Sequence, residues 1–282
     1  PEVTTADVEE ATVDGTDCIL VGEGGSVSWK VDVPKAGWYC VSFKYRAENE
    51  KTTDIERIFK LNGKTPYSEA RYQDFNKVWS SKYATDDVSD RDNVFEVDAS
   101  GNELRPDAYL SQEWITHSVK DNDGYYRDPL EFWFEEGENT VTLDGVRDKA
   151  YFAEISVYSY EELPTYEEVL AEYEKKGYES ADADTVYFEA ETPAQVSNYT
   201  VYPVYDRASA ITSPQHKSKI YRNTMGGDKW VTNGQWIRYE FECEASGLYE
   251  IGIRFAQDQL KGMYTSRAVR IDGEYPFEEA KD

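Results

Sequence analysis

Between residues 27 and 61 apolar side chains recur at every second position, interrupted only where turn residues cluster. Val27, Trp29, Val31 and Val33 alternate with polar residues, Ala36-Gly37 supplies a tight turn, and Tyr39, Val41, Phe43 and Tyr45 resume the alternation. After a polar loop, Phe59 and Leu61 lead into Asn62-Gly63, a dipeptide that tolerates the positive φ of hairpin turns. A period of two predicts strands with one buried face. The pattern is then written again: Ile237, Tyr239, Phe241 and Cys243, then Ser246-Gly247, then Tyr249, Ile251, Ile253 and Phe255, and finally Val269 and Ile271 before Asp272-Gly273. The register holds without gaps from 27–70 against 237–280, a displacement of 210 residues. The identical pairs include Gly37/Gly247, Tyr39/Tyr249, Lys51/Lys261, Arg57/Arg267, Gly63/Gly273 and Ala70/Ala280.

A period this long is too great for a solenoid and predicts duplicated domains. The alternation returns in "EFWFEEGENTVTLDG" at 131–145 and "AYFAEISVYSY" at 150–160, so the first copy holds seven or eight strands, as a jelly roll requires. The expected fold class is therefore all-β: two antiparallel β-sandwiches joined by a short helical linker. The first spans 1–160 with a long, acidic, loop-forming insertion at 71–128, the linker spans 161–185, and the second spans 186–282. Thr165 and Glu168 form a capping box, "YEEVLAEYEKK" has helical apolar spacing, and Gly177 closes the helix. The second copy has no counterpart of the closing strands, so it is expected to be incomplete, with further domains of the same polypeptide beyond Asp282. Arg57 and Arg267 fall on inward positions, where a guanidinium needs an acid or several carbonyls. Cys243 is inward by alternation and Tyr249 and Phe255 are expected in a core.

Composition narrows the partners. The 282 residues carry 56 Asp and Glu against 30 Lys and Arg, a net charge of -26, which repels phosphate backbones and anionic lipid. No nucleic acid is expected, and no membrane insertion, since no apolar run approaches the roughly 20 residues that span a bilayer. The N-terminus lacks the basic and apolar regions of a signal peptide, so the sequence reads as an excised piece. Cys18, Cys40 and Cys243 form no C-x-x-C pair, and a Cys18 to Cys40 bridge is left open.

Few residues suggest catalysis. His117 and His216 have no Cys or His neighbours at ligand spacing and read as surface or loop histidines. Carboxylates are too numerous for any pair to stand out as a glycosidase couple. The loop "DNDGYYRD" at 121–128 lacks acids at Val119 and Leu130, which leaves a solvated turn or a weak calcium site. Aromatic content remains: 15% of residues, 23 of them Tyr. Tyr and Trp offer an apolar face and a polar edge, suited to stacking on a sugar ring while acids and amides bind its hydroxyls. Many aromatics fill strand cores, but Trp79, Tyr83, Tyr125, Tyr126, Tyr199, Tyr202, Tyr205 and Trp230 occupy polar, loop-like stretches.

"VYFEAE" at 186–191, "NGQWIRYEF" at 233–241, "SGLYEIGIRFA" at 246–256 and "RAVRIDG" at 267–273 resemble, in order, carbohydrate-binding modules of families 6 and 35, of the galactose-binding-like β-sandwich group. The first domain resembles the same fold through "VSWKVDVPKAGWYCVSFKYRA", "ENTVTLDG" and "AEISVYS". Tandem modules of this kind also resemble the N-terminal region of some extracellular solute-binding proteins of carbohydrate ABC transporters. The resemblance implies an extracellular or surface-attached protein, no catalysis in these domains, and a carbohydrate ligand held among loops at one end of the sandwich. The candidate site residues are Trp79, Tyr83, Tyr125 and Tyr126, from their loop-like placement, and Tyr205, Tyr221 and Trp230, which the resemblance favours in the second domain. It also implies a structural calcium, with Glu189 and Glu191 matching the opening E-x-E, and Glu9 or Glu10 with Glu154 as the corresponding acids of the first domain. The leading expectation is a non-catalytic glycan-binding region of a larger bacterial sugar uptake or degradation protein. A structural spacer or protein-interaction pair, and accessory domains of a glycoside hydrolase, stand as alternatives.

Overall fold

The structure, a computed structural model, describes residues 2–3, 7–89, 91–257 and 262–281. The chain is mostly β and divides into two compact units, Pro1–Tyr160 with Glu189–Glu240, and Glu161–Phe188 with Phe241–Asp282. The dividing lines therefore pass through the segment 186–282 rather than around it.

The first unit runs β1 (Glu2–Val3), β2 (Val8–Val13), β3 (Thr16–Val21), β4 (Ser26–Val33), β5 (Gly37–Ala47) and β6 (Ile55–Leu61). It continues through β7 (Tyr72–Phe75), β8 (Trp79–Lys82), β9 (Asp107–Leu110), β10 (Ile115–Ser118), β11 (Phe132–Phe134), β12 (Gly137–Arg147) and β13 (Ala150–Tyr158). The short strands β14 (Gln195–Val196), β15 (Pro203–Val204), β16 (Thr224–Met225) and β17 (Ile237–Arg238) complete it. One sheet has the order β1-β4-β12-β6-β7, and a second has the order β10-β5-β13-β3-β2 with β11 also on β5. A smaller sheet, β17-β14-β8-β9, brings residues 195–196 onto the insertion. The ladders between these strands are antiparallel.

The alternation decides which faces meet. Phe43 and Tyr45 of β5, Phe59 of β6, Val141 and Leu143 of β12 and Phe152 of β13 are all buried and belong to one core. Trp29 of β4 lies 5.7 Å from Phe43, and Phe59 lies 4.8 Å from Phe132 of β11, so rings from the two sheets interdigitate as in a sandwich. In both large sheets a central strand comes from the β12–β13 hairpin, which is last in the sandwich by chain order.

Two buried cations of this sandwich, Arg57 and Lys77, are well supplied with acceptors. Arg57 is fully buried and its guanidinium donates to the carbonyls of Glu56, Arg147, Val21 and Asp148 at 2.8–3.0 Å, the capped-carbonyl shell expected of it. The Lys77 ammonium donates to Asp148 Oδ2 at 2.5 Å and to the carbonyls of Lys51 at 2.7 Å and Asn49 at 3.2 Å. Asp148, at the left-handed φ of 59°, accepts a further bond from Asn49 Nδ2 at 2.7 Å.

Several sequence expectations are corrected. The insertion 71–128 is not all loop, because β7 to β10 lie within it and β10 is an edge strand on β5. His117, on β10, is buried rather than at the surface. Its ring lies 4.4 Å from Phe75, and Nε2 is 3.0 Å from Gln73 Oε1. Since Gln73 Nε2 faces the carbonyls of Tyr72 and Lys120, its Oε1 is the acceptor and the imidazole donates. Burial, and then the charge of Lys120, lower the His117 pKa from 6.5 to about 3. The unfolded chain thus takes up a proton that the folded one refuses, so this contribution is intact above pH 6.5 and is lost as the pH falls. This group alone favours pH 7 over pH 5 by about 2 kcal/mol, so in urea denaturation the stability of His117→Gln relative to the wild type should be about 2 kcal/mol higher at pH 5 than at pH 7.

Cys18 and Cys40 are buried free thiols. Their strands β3 and β5 are separated by β13, roughly 10 Å across two strand spacings, beyond disulfide reach. Cys243 is exposed rather than inward, and so are Tyr249 and Phe255. Within the described residues, 247–257 and 265–271 form no ladder despite their alternation. The second unit is built instead around α1 (Tyr166–Lys176), where Thr165 and Glu168 form the expected capping box and Gly177 takes φ 71°. Tyr166 lies 5.0 Å from Phe277, its N–H donates to Glu279 at 2.7 Å, and Leu248 pairs with Ser180.

Candidate functional site

The loop 121–128 is held from beneath by its first residue. Asp121 is 3% exposed, and its carboxylate accepts the backbone N–H of Asp123 at 3.0 Å, Tyr125 at 2.7 Å and Tyr126 at 3.1 Å. Those bonds use the oxygens that a calcium loop would turn toward a metal. The ends of the loop are clamped as well: Leu130 N–H donates to Val119 O at 2.9 Å, and Gln73 brackets Lys120 through its N–H and its carbonyl. Asn122 Nδ2 donates to Tyr72 O at 2.9 Å, and Asn233 Nδ2 donates to Asn122 O at 3.0 Å. Gly124 takes φ 77°, a left-handed conformation that favours glycine, and a Cβ there would require the Asn233 side chain to move.

This scaffold leaves two aromatic rings in water, Tyr125 at 83% and Tyr126 at 60% exposure. They border a depression of about 560 Å³ that continues through Arg127, Asp128, Pro129, Leu130 and Glu131. Tyr160 donates its hydroxyl to Asp128 at 2.6 Å. Under the depression, Cys40 Sγ is 3.8 Å from Pro129 O; burial, with the carboxylates of Glu131 and Asp128, pushes its thiol up to about 11. Polar acceptors and flat apolar faces thus share one surface.

The chain leaves Glu131 directly into β11, whose Trp133 pairs across the ladder with Trp38 of β5. Both indoles are about half exposed, 5.7 Å apart and edge to face. Neither lies in the polar, loop-like stretches that mark the other candidate aromatics in the sequence. The signal was present: Trp133 stands out of phase between the core residues Phe132 and Phe134, and Trp38 precedes the in-phase Tyr39.

Other expected ligand residues lie elsewhere in this unit. Trp79 is 3% exposed and packs 5.2 Å from Tyr199, so its ring is spent in the core, a correction to its expected role. Tyr83 is half-buried and donates toward the carbonyls of Pro193 and Glu191. Trp230 packs against the core with Nε1 3.4 Å from Gln235 O. Tyr205, half-buried, has its hydroxyl 3.5 Å from Lys219 O, and Tyr221 lies 5.6 Å from His216. Only Tyr125 and Tyr126, of the expected set, come together on open surface.

The acids expected around calcium do not assemble. Glu10 and Glu154 are exposed on β2 and β13, with β3 between them. Glu191 is 2% exposed, with Oε2 lacking a hydrogen-bond partner. Burial, and then Glu189 and Glu103 against the opposing Arg91, raise its pKa to about 7. Among the described residues no group of three or more His, Cys, Asp or Glu side chains could hold a metal.

No protein-family model matches the chain, and no curated protein does. Among solved structures, it is similar to a family 35 carbohydrate-binding module from Clostridium thermocellum, with 15% identity and a TM-score of 0.33 over 55% of this chain and 90% of that one. A family 35 module from Paenibacillus barcinonensis gives 12% identity and a TM-score of 0.30 over 56% and 93%. The Podospora anserina GH26-CBM35 β-(1,4)-mannanase gives 10% identity and a TM-score of 0.31 over 63% of this chain and 33% of that one.

Proposed function

We propose that this chain binds a neutral carbohydrate without catalysis, at the surface formed by Tyr125, Tyr126 and the adjoining depression, with Trp38 and Trp133 extending it along β11. The observation that carries the reading is the pair of exposed tyrosines on a loop fixed by the buried Asp121. A rigid loop presents its rings with little conformational entropy left to lose on binding. Asp128 and Glu131 stand beside the rings as acceptors for sugar hydroxyls. The resemblance of residues 186–273 to carbohydrate-binding modules supports the same ligand class, and an extracellular setting in a larger sugar-uptake or sugar-degrading protein.

A saccharide screen by calorimetry tests the proposal. Some neutral glycan should bind, and Tyr125→Ala or Tyr126→Ala should each weaken it by about tenfold or more, the scale of a lost stacking contact. Silence across a broad panel, with the protein shown to be folded, would overturn the reading. Rigorously purified protein should hydrolyse no glycoside; sustained turnover would refute the non-catalytic part.

A further inference from the structure

The sequence contains two Asn-Gly steps, Asn62-Gly63 and Asn233-Gly234. Such a step is chemically labile, because glycine has no Cβ to shield its backbone nitrogen from the carbonyl carbon of the preceding side chain. In the unfolded chain the two steps are equivalent, and folding separates them. Asn62 is fixed at both ends of its carboxamide: Nδ2 donates to Asn139 Oδ1 at 3.0 Å and Oδ1 accepts the Thr140 N–H at 2.8 Å, while its own backbone N–H donates to Thr140 O at 2.7 Å. Its Cγ is held against β12 and reaches Gly63 only if these bonds break. Asn233 is exposed, in a turn where the Gln235 N–H donates to Thr232 O at 3.3 Å and Gly234 takes φ 77°. Among the described residues its carboxamide makes one hydrogen bond, from Nδ2 to Asn122 O at 3.0 Å, and the Gly234 N–H makes none.

That single bond has a structural task. Asn122 belongs to the loop that carries Tyr125 and Tyr126, and the Asn233 side chain occupies the space that a Cβ on Gly124 of the same loop would need. Asn76 Nδ2 donates to Gly234 O at 3.3 Å, so the turn is itself tied to the residue that follows β7. The turn braces the tyrosine loop, and Nδ2 of Asn233 is the atom through which it does so.

We propose that Asn233 is a site of spontaneous deamidation, and that the product releases the loop of Tyr125 and Tyr126. The Gly234 nitrogen gives its proton to a solvent base and bonds to Asn233 Cγ; the Cγ–Nδ2 bond breaks, and Nδ2 takes a proton from solvent and leaves as ammonia. Water then opens the cyclic imide at either carbonyl, giving aspartate or isoaspartate. The net change converts one carboxamide and one water into one carboxylate and one ammonium ion, with no other reactant. The departing atom is the one that holds Asn122. A carboxylate oxygen in its place has no proton to donate and repels the Asn122 carbonyl, and isoaspartate also adds a methylene to the backbone of a turn packed on Gly124. The consequence for ligand affinity rests on the carbohydrate reading; the modification and the loosening of the loop do not.

Ageing the folded chain in mildly alkaline buffer, followed by peptide mapping with mass spectrometry, tests the modification. Aspartate and isoaspartate should accumulate at 233 while Asn62 stays intact, and in urea-unfolded protein both positions should convert together. An unmodified Asn233, or equal conversion at 62 and 233 in the folded chain, would overturn the assignment. Hydrogen exchange on Asn233→Asp tests the release: the amides of Tyr125 and Tyr126 should exchange about tenfold faster than in the wild type, the scale of one lost hydrogen bond, and unchanged exchange would refute it. A glycan that binds the wild type should bind Asn233→Asp about tenfold more weakly, and undiminished affinity would overturn the link between the turn and the ligand surface. Mapping and exchange use no ligand, so a failure of every glycan to bind would count against the carbohydrate reading and leave those two measurements to decide the modification and the release.

Discussion

Lys77→Met is expected to destabilise the first unit by about 3 kcal/mol, because it takes the nearer, buried cation from a buried carboxylate and leaves only the exposed Lys51, whose Nζ is 3.6 Å from Asp148 Oδ1. Lys77 and Asp148 are each 1% exposed in their side chains, and the ammonium also satisfies the carbonyls of Asn49 and Lys51. Burial by itself would push the Asp148 carboxyl up; the hydrogen bonds from Asn49, Lys77 and the Lys149 N–H, with the charge of Lys77, hold it below its usual value of 3.8. A depressed carboxyl stabilises the fold above its unfolded pKa, and that stability is lost as the pH falls through the folded value. Removing Lys77 lets burial dominate, so the variant's deficit should be largest at pH 7 and shrink at pH 3, where Asp148 takes a proton. Denaturant midpoints at the two pH values measure this, and an equal deficit at both would show that lost packing, not charge, sets the cost.

Glu191→Gln is expected to raise stability at pH 8 and to leave it unchanged at pH 4. The carboxyl is moved up from 4.5 to about 7, chiefly by burial. Between those values the folded state holds a proton that the unfolded state has released, so stability falls as the pH rises, and the full penalty is present above pH 7. The shift corresponds to roughly 3 kcal/mol at pH 8, which on a unit of this size translates to about 5–10 °C in Tm. Glutamine keeps the shape without the charge. Thermal melts of both proteins at pH 4, 6 and 8 should converge at the acid end, and parallel curves would locate the buried charge elsewhere. With His117 penalising the acid side and Glu191 the alkaline side, the wild type should be most stable at mildly acidic pH.

The amino-acid sequence by itself determined everything whose physics is local. Period-two alternation marked β4, β5, β6, β12 and β13, the Asn62-Gly63 and Asp272-Gly273 turns fell where their φ preferences put them, and the α1 caps were legible as Thr165, Glu168 and Gly177. The inward phase of Arg57 also announced its need for partners. Tertiary structure decided what depends on contacts between distant residues. Alternation shows that one face of a strand seeks burial but not whether a neighbour arrives, so Tyr249 and Phe255 match Tyr39 and Tyr45 in pattern and differ in exposure. Loop-like polarity could not separate Trp79, drawn inward against Tyr199, from Tyr125 and Tyr126, held outward by Asp121. Buried His117 and Glu191 acquired their altered proton affinities only from the surroundings that folding gathers around them. Side-chain identity sets what a residue can do; the sheet order, with its central strands arriving last along the chain, decides which of those capacities meet water and which meet each other.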